Sequence, residues 1–247
     1  MLHGFKYRFY PTAEQEVLLR RTVGCVRLVY NRALGEHSEA WTRGGKSVGY
    51  LAQSHTLTEW KKLPELSFLN EVSSIPLQQT LRHLQTAYGR FFKKRSRYPR
   101  FKRKHSGGSA EFTRSAFRIE NEKLTLAKMD TPLDIRWSRP LPPGTQPSTV
   151  TVTLDAAGRW HVSMLCDDKR VKPLPKLKTT VGVDLGITTL ATLSTSEKIA
   201  NPRHDECEAR RKRWLSKSLS RKQKGSSNRS KARRKLARLH MRIADRR

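Results

Sequence analysis

Acidic residues are scarce in this chain: 21 Asp and Glu stand against 51 Lys and Arg in 247 residues, a formal net charge of +30. Solubility asks for far less, and so lopsided a field repels cationic partners and draws polyanions, with nucleic acid the first candidate. Cysteine is scarce too. Cys25, Cys166 and Cys207 lie far apart with no Cys-x-x-Cys spacing, which excludes a disulfide framework or a zinc knuckle and leaves isolated reduced thiols. No run approaches the ~18 consecutive apolar residues that span a bilayer, so a membrane is not an expected partner. Met1 to Lys6 show no charged-then-apolar signal pattern, and the expected location is the cytoplasm.

Against this basic background the longest apolar run is Val181 to Ser194, VGVDLGITTLATLS. Its β-branched residues predict two short buried strands joined by a tight turn at Gly186, because Val, Ile and Thr suit a pleated surface. Asp184 then ends a central strand in a hydrophobic surround. A carboxylate there is costly unless paired. Mg²⁺ is one partner, since it takes hard oxygen ligands; the plainer reading is an Asp that caps the Gly186 turn.

The chain begins with Phe5 to Tyr10, aromatic and basic residues in alternation, which predicts a strand with one wet face. Thr12-Ala13-Glu14-Gln15 is a capping-box signature. Apolar residues from Leu18 to Tyr30 then recur at helical spacing, with a possible break at Gly24, as far as Trp41. Further helices are expected near Ser54 to Lys62 and from Pro76 through Phe91. Lys93 to His105 reads KKRSRYPRFKRKH. In it Lys93, Lys94, Arg95, Arg100, Lys102, Arg103 and Lys104 offer phosphate-neutralising cations, and Tyr98 and Phe101 offer stacking faces. The next residues, Ser106 to Ser109, read as a flexible turn.

From Glu111 the period changes to two. Hairpins are expected at 117–126 and 150–165, a further strand at 133–137, and a small antiparallel barrel closed by the first strand. Val171 to Lys178, with Pro173 and Pro175, reads as a stiff linker. Asn201-Pro202 reads as a cap and first turn. The remainder is a basic helical hairpin broken at Gly225 to Asn228. Its Arg210, Arg211, Arg213, Lys217, Arg221 and Lys222, then Arg233, Arg234, Lys235, Arg238 and Arg242, are candidate nucleic-acid contacts. An exposed helix normally mixes charge signs for pairing, and this one barely does.

Taken together, Tyr10-Pro11-Thr12, Tyr98-Pro99-Arg100-Phe101-Lys102, Gly182-Val183-Asp184-Leu185-Gly186-Ile187 and Lys235-Leu236-Ala237-Arg238-Leu239-His240 resemble the front part of the TnpB/OrfB proteins of insertion sequences, relatives of type V CRISPR effectors. The resemblance implies an α+β fold: a small wedge-like β-barrel (residues 1–11 and 106–170) with a helical recognition insert (12–105), a linker (171–178), and the start of a RuvC-like, RNase H-like nuclease segment with the basic hairpin (179–247). It implies a transposon-encoded protein of a bacterial or archaeal cell that binds DNA and a transposon-derived guide RNA. The family activity is RNA-guided DNA cleavage, with Mg²⁺ as cofactor. Asp184 falls on the first catalytic carboxylate, and the family's further Glu and Asp and its four-cysteine zinc element lie beyond residue 247. One carboxylate does not place two cations, so these residues alone are expected to bind without cutting, and no zinc is expected. An RNase H-like fold also needs more elements than 181–247 supplies, so exposed apolar surface is expected there. The competing expectations are a short nuclease-dead regulator and a structural RNA-binding protein.

Overall fold

The computed structural model describes residues 1–45, 47–168, 174–175 and 178–246, without the side chains of 204 and 205. The chain divides into two compact units, Met1–Arg170 and Val171–Arg247. The expected linker at 171–178 falls mostly outside the described residues.

In the first unit, β1 (Leu2–Tyr10) buries Phe5, Tyr7 and Phe9 and leaves the alternate residues on the other face, as its alternation predicts. Next comes α1 (Ala13–Gly44). The capping box is formed: Gln15 N donates to Thr12 Oγ1 (3.3 Å) and Thr12 N donates to Gln15 Oε1 (3.1 Å). Gln15 Nε2 also donates to the Thr131 and Pro132 carbonyls, so one side chain ties the helix start to a distant loop. No break occurs at Gly24. A single glycine costs a helix about 1 kcal/mol, and the buried stripe from Leu19 to Leu34 outweighs that. α2 (Tyr50–Lys62) and α3 (Ser74–Phe92, with Pro76 in its first turn) complete the helical part.

The strands follow as β2 (Gly108–Thr113), β3 (Phe117–Glu120), β4 (Lys123–Leu126), β5 (Asp134–Arg136), β6 (Thr149–Leu154) and β7 (Trp160–Asp167). Both predicted hairpins pair as expected, β3 with β4 and β6 with β7. Asn121 and Glu122 hold the positive φ that a two-residue turn with this twist demands (47° and 62°). The expected barrel is corrected: the sheet is open, in the order β2-β6-β7-β1-β5. β5 has only three residues and runs towards Pro140, Pro142 and Pro143, which cannot donate to a ladder. The far edge, β2, is met by α1 and α3 instead. Helices and sheet share one hydrophobic core, with Val23, Val29, Leu77 and Leu81 packed in a cluster with Tyr7, Val152 and Met164.

The flexible turn expected at 106–109 is also corrected. A Cβ on Gly108 would collide with the Val23 side chain, and one on Gly107 (φ +80°) with the Leu154 carbonyl. These glycines are sites of close approach.

The second unit contains β8 (Val183–Leu185), β9 (Thr189–Leu193) and β10 (Lys198–Ala200) in an antiparallel sheet of order β10-β9-β8. α4 (His204–Cys207), α5 (Ala209–Ser220) and α6 (Ser227–Arg246) follow. Asn201 does not cap α4. Its Oδ1 accepts from Arg203 N (3.0 Å) and its Nδ2 donates to the Ile187 carbonyl (2.7 Å), so it braces the β8–β9 turn, and Arg203 (φ 45°) precedes the helix. Leu215, Leu239 and Ile243, with Leu236 alongside, seal α5 against α6. No helix is long and apolar enough to cross a membrane, among the described residues.

Candidate nucleic-acid interface

The first basic segment starts where α3 stops. Lys93 closes the helix and Lys94 takes a left-handed φ of 55°. Arg95 N returns to the Arg90 carbonyl (2.8 Å), which turns the chain back along α1. Two clamps then fix its course. The Tyr98 hydroxyl lies 2.9 Å from Ser38 Oγ and 3.3 Å from the Tyr88 hydroxyl, with its ring edge-on to Phe91. Asn31 grips the backbone of Lys102, accepting from its N–H (2.8 Å) and donating to its carbonyl (3.0 Å). Desolvation raises the Tyr88 hydroxyl well above its ordinary range, and the bond from Tyr98 adds to this.

The predicted contacts in this segment therefore divide. Lys93, Lys94, Arg95, Arg100, Phe101, Arg103 and Lys104 are exposed. Lys102 also counts as exposed, yet its ammonium lies 4.1 Å from the Tyr30 ring centre, and desolvation there lowers its pKa. Tyr98 is an anchor that stays 43% exposed. This clamping could not be read from the sequence; Asn31 gives no local signal.

In the second unit the expectation for Asp184 is corrected. β8 is an edge strand, and all three of its residues are exposed. Val183, Leu185 and Ile187 are 58%, 76% and 85% exposed, the bare apolar surface expected from so small a sheet. Asp184 is thus neither central nor surrounded by apolar groups. No group of three His, Cys, Asp or Glu side chains suited to a metal forms among the described residues.

The α5–α6 hairpin carries the heaviest charge. Residues 209–246 contain sixteen Lys and Arg and one acid, Asp245. Arg210, Arg211, Arg213, Lys217, Arg221, Arg234, Lys235, Arg238 and Arg242 are exposed, and Lys222 and Arg233 are half-buried. The bend is built by Ser226, whose Oγ accepts from Arg229 N (3.1 Å), and by Arg229, whose Nη1 donates to the Leu219 and Lys222 carbonyls (3.0 and 2.6 Å). Arg229 thereby closes the carbonyl end of α5. Charge counting alone does not reveal that structural role. Glu208 takes Arg246 at 3.4 Å and Arg242 at 3.9 Å, so Arg242 is partly neutralised. Chemically, the hairpin is a densely cationic surface, the charge type that attracts phosphates, with Leu215, Leu239 and Ile243 packed between the helices.

A family model for an OrfB (IS605) helix-turn-helix domain matches residues 1–46, and one for OrfB (IS605) described as "Probable transposase" matches residues 161–247. In this structure the described part of residues 1–46 is β1 followed by one unbroken α1. A Streptomyces pristinaespiralis protein provisionally named an RNA-guided DNA endonuclease is 60% identical over 245 residues, covering 99% of this chain and 61% of its own length. An Escherichia coli protein with the same provisional name, InsQ, is 33% identical over 245 residues, 99% of this chain and 60% of its own. The chain spans about three-fifths of the length of these relatives. A Cas12f1–sgRNA–target DNA complex solved by cryo-EM aligns over 100% of this chain and 68% of its own, at 14% identity and a TM-score of 0.37.

Proposed function

This chain belongs to the TnpB/OrfB family of insertion-sequence proteins, and from that premise we propose that its 247 residues form the guide-RNA- and DNA-binding part of an RNA-guided nuclease. The observation that carries this is the α5–α6 hairpin, with sixteen cations against one acid. Such a surface releases counterions from a phosphate backbone and has few internal partners to satisfy it. The exposed residues of 93–104 supply a second contact, with Phe101 (61% exposed) and Tyr98 as stacking faces. In this reading residues 1–11 and 106–170 form the wedge-like platform, 12–105 the recognition insert, and 179–247 the start of a RuvC-like segment.

Phosphodiester cleavage by two cations needs clustered carboxylates to hold them. The residues described here do not fit that requirement. Asp184 offers one exposed carboxylate, and no three-residue metal cluster accompanies it among the described residues. In this reading these residues bind without cutting. In a complete nuclease Asp184 would be one Mg²⁺ ligand.

The test is a titration of the whole chain with a labelled single-stranded RNA and a labelled DNA duplex. Replacing Arg233, Arg234 and Lys235 together by Ala weakens binding about tenfold or more near ~0.15 M salt and flattens the log–log salt slope by about 2 to 3. Asp184→Ala leaves affinity within about twofold. An unchanged affinity in the triple variant would overturn the proposal.

A further inference from the structure

Trp214 is 67% exposed on α5, on a helix whose apolar contact with α6 is made by its neighbour Leu215. The indole is left largely in solvent on a basic surface and is not part of the apolar cluster that packs the hairpin. It stands between two open cavities. One, of about 380 Å³, has Leu215 and Leu239 as its floor and Arg211, Lys235, Arg238 and Arg242 around it. The other, of about 280 Å³, lies along the same helix and is lined by Lys217, Ser218, Arg221 and Lys222. Trp214 lines both.

We propose that Trp214 is a stacking post for an unpaired nucleotide, with the base laid on the indole and its flanking phosphates held by the cations of the two cavities. This rests on the nucleic-acid-binding reading above and deepens it by specifying single-stranded nucleic acid. Three features support it. The larger cavity falls within the ~300–1,000 Å³ of small-ligand sites and has an apolar floor, which suits a base. The cations that line the two cavities Trp214 shares match the charge of the phosphates that flank a stacked nucleotide. A duplex buries its base faces in its own stack, so a flat exposed ring gains contact area only from a base that is out of it. Glu208, which pairs with Arg242 and Arg246, lies among neither cavity's lining residues.

The experiment compares the full chain with its Trp214→Ala and Trp214→Phe variants. The probes are a labelled oligouridylate, the matching oligothymidylate and a mixed-sequence DNA duplex, at one salt concentration. Trp214→Ala weakens binding to a single strand about tenfold or more, leaves duplex affinity within about twofold, and keeps the helical signal of the parent, since the side chain is exposed and Ala favours a helix. Trp214→Phe keeps most of the single-strand affinity. If both single strands respond alike the site reads stacking alone; if only oligouridylate responds, the nucleotide is from RNA. Either pattern supports the proposal. An unchanged single-strand affinity in Trp214→Ala, or an equal loss on the duplex, overturns it while the parent still binds. If the parent binds none of the probes, the nucleic-acid-binding reading falls as well.

Discussion

The ammonium of Lys102 rests 4.1 Å from the Tyr30 ring centre, while Arg103 beside it is exposed. Their replacement by Ala therefore separates two effects that a tally of charges merges. Lys102→Ala costs about 0.5–2 kcal/mol of stability through the lost ring contact and scarcely alters the salt dependence of nucleic-acid binding. Arg103→Ala leaves the melting temperature unchanged and lowers the salt slope by about 1. Thermal unfolding and a salt titration of the two variants check this, and a reversed pattern would show Lys102 to be the phosphate contact. From sequence the two residues are indistinguishable, because which cation turns inward depends on Asn31 and Tyr30 some seventy residues away. Thr12 and Gln15 were legible for the opposite reason: a capping box is complete within four residues.

At the level of elements, the β6–β7 hairpin depends on Asp155. Its Oδ1 accepts from Ala157 N (2.9 Å) and Arg159 N (2.8 Å), and its Oδ2 accepts from Arg159 Nε (2.8 Å). Burial alone pushes this carboxyl up, but the Arg159 side-chain bond, the backbone bonds and the Arg159 charge outweigh it and hold its pKa below the ordinary 3.8. A depressed carboxyl stabilises the fold above the unfolded value of 3.8 and loses that contribution as pH falls through the folded value. Asp155→Ala thus lowers stability by about 2 kcal/mol at neutral pH, and the gap between variant and parent narrows below pH 3.8; denaturant melts across that range check it. Gly108→Ala is expected to cost about 1–3 kcal/mol by driving a Cβ into Val23. A melting temperature equal to the parent's would contradict that. Hairpins and helices were legible because period and turn chemistry are local. The barrel was not, since closure depends on whether two distant edges meet. The strands around Asp184 paired as their pattern predicts, but burial is a property of what covers a sheet, and alternation in sequence does not reveal that.

For the whole molecule the controlling quantity is the net charge of +30, legible at once because composition survives any fold. Its placement was only partly legible. The hairpin's density could be counted, whereas the clamped course of residues 93–104 and the exposure of Trp214 depend on how the chain packs. A protein so charged associates with polyanions quickly and loses them steeply as salt rises. We propose that these residues hold RNA and DNA without cutting. The most direct measurement is one native and denaturing gel pair of the full chain with labelled RNA and DNA in Mg²⁺, read for retardation and for strand length. The account predicts retarded complexes that dissolve with added salt and DNA strands of unaltered length. Free probe at low salt, or shortened strands that vanish with Asp184→Ala, would contradict it.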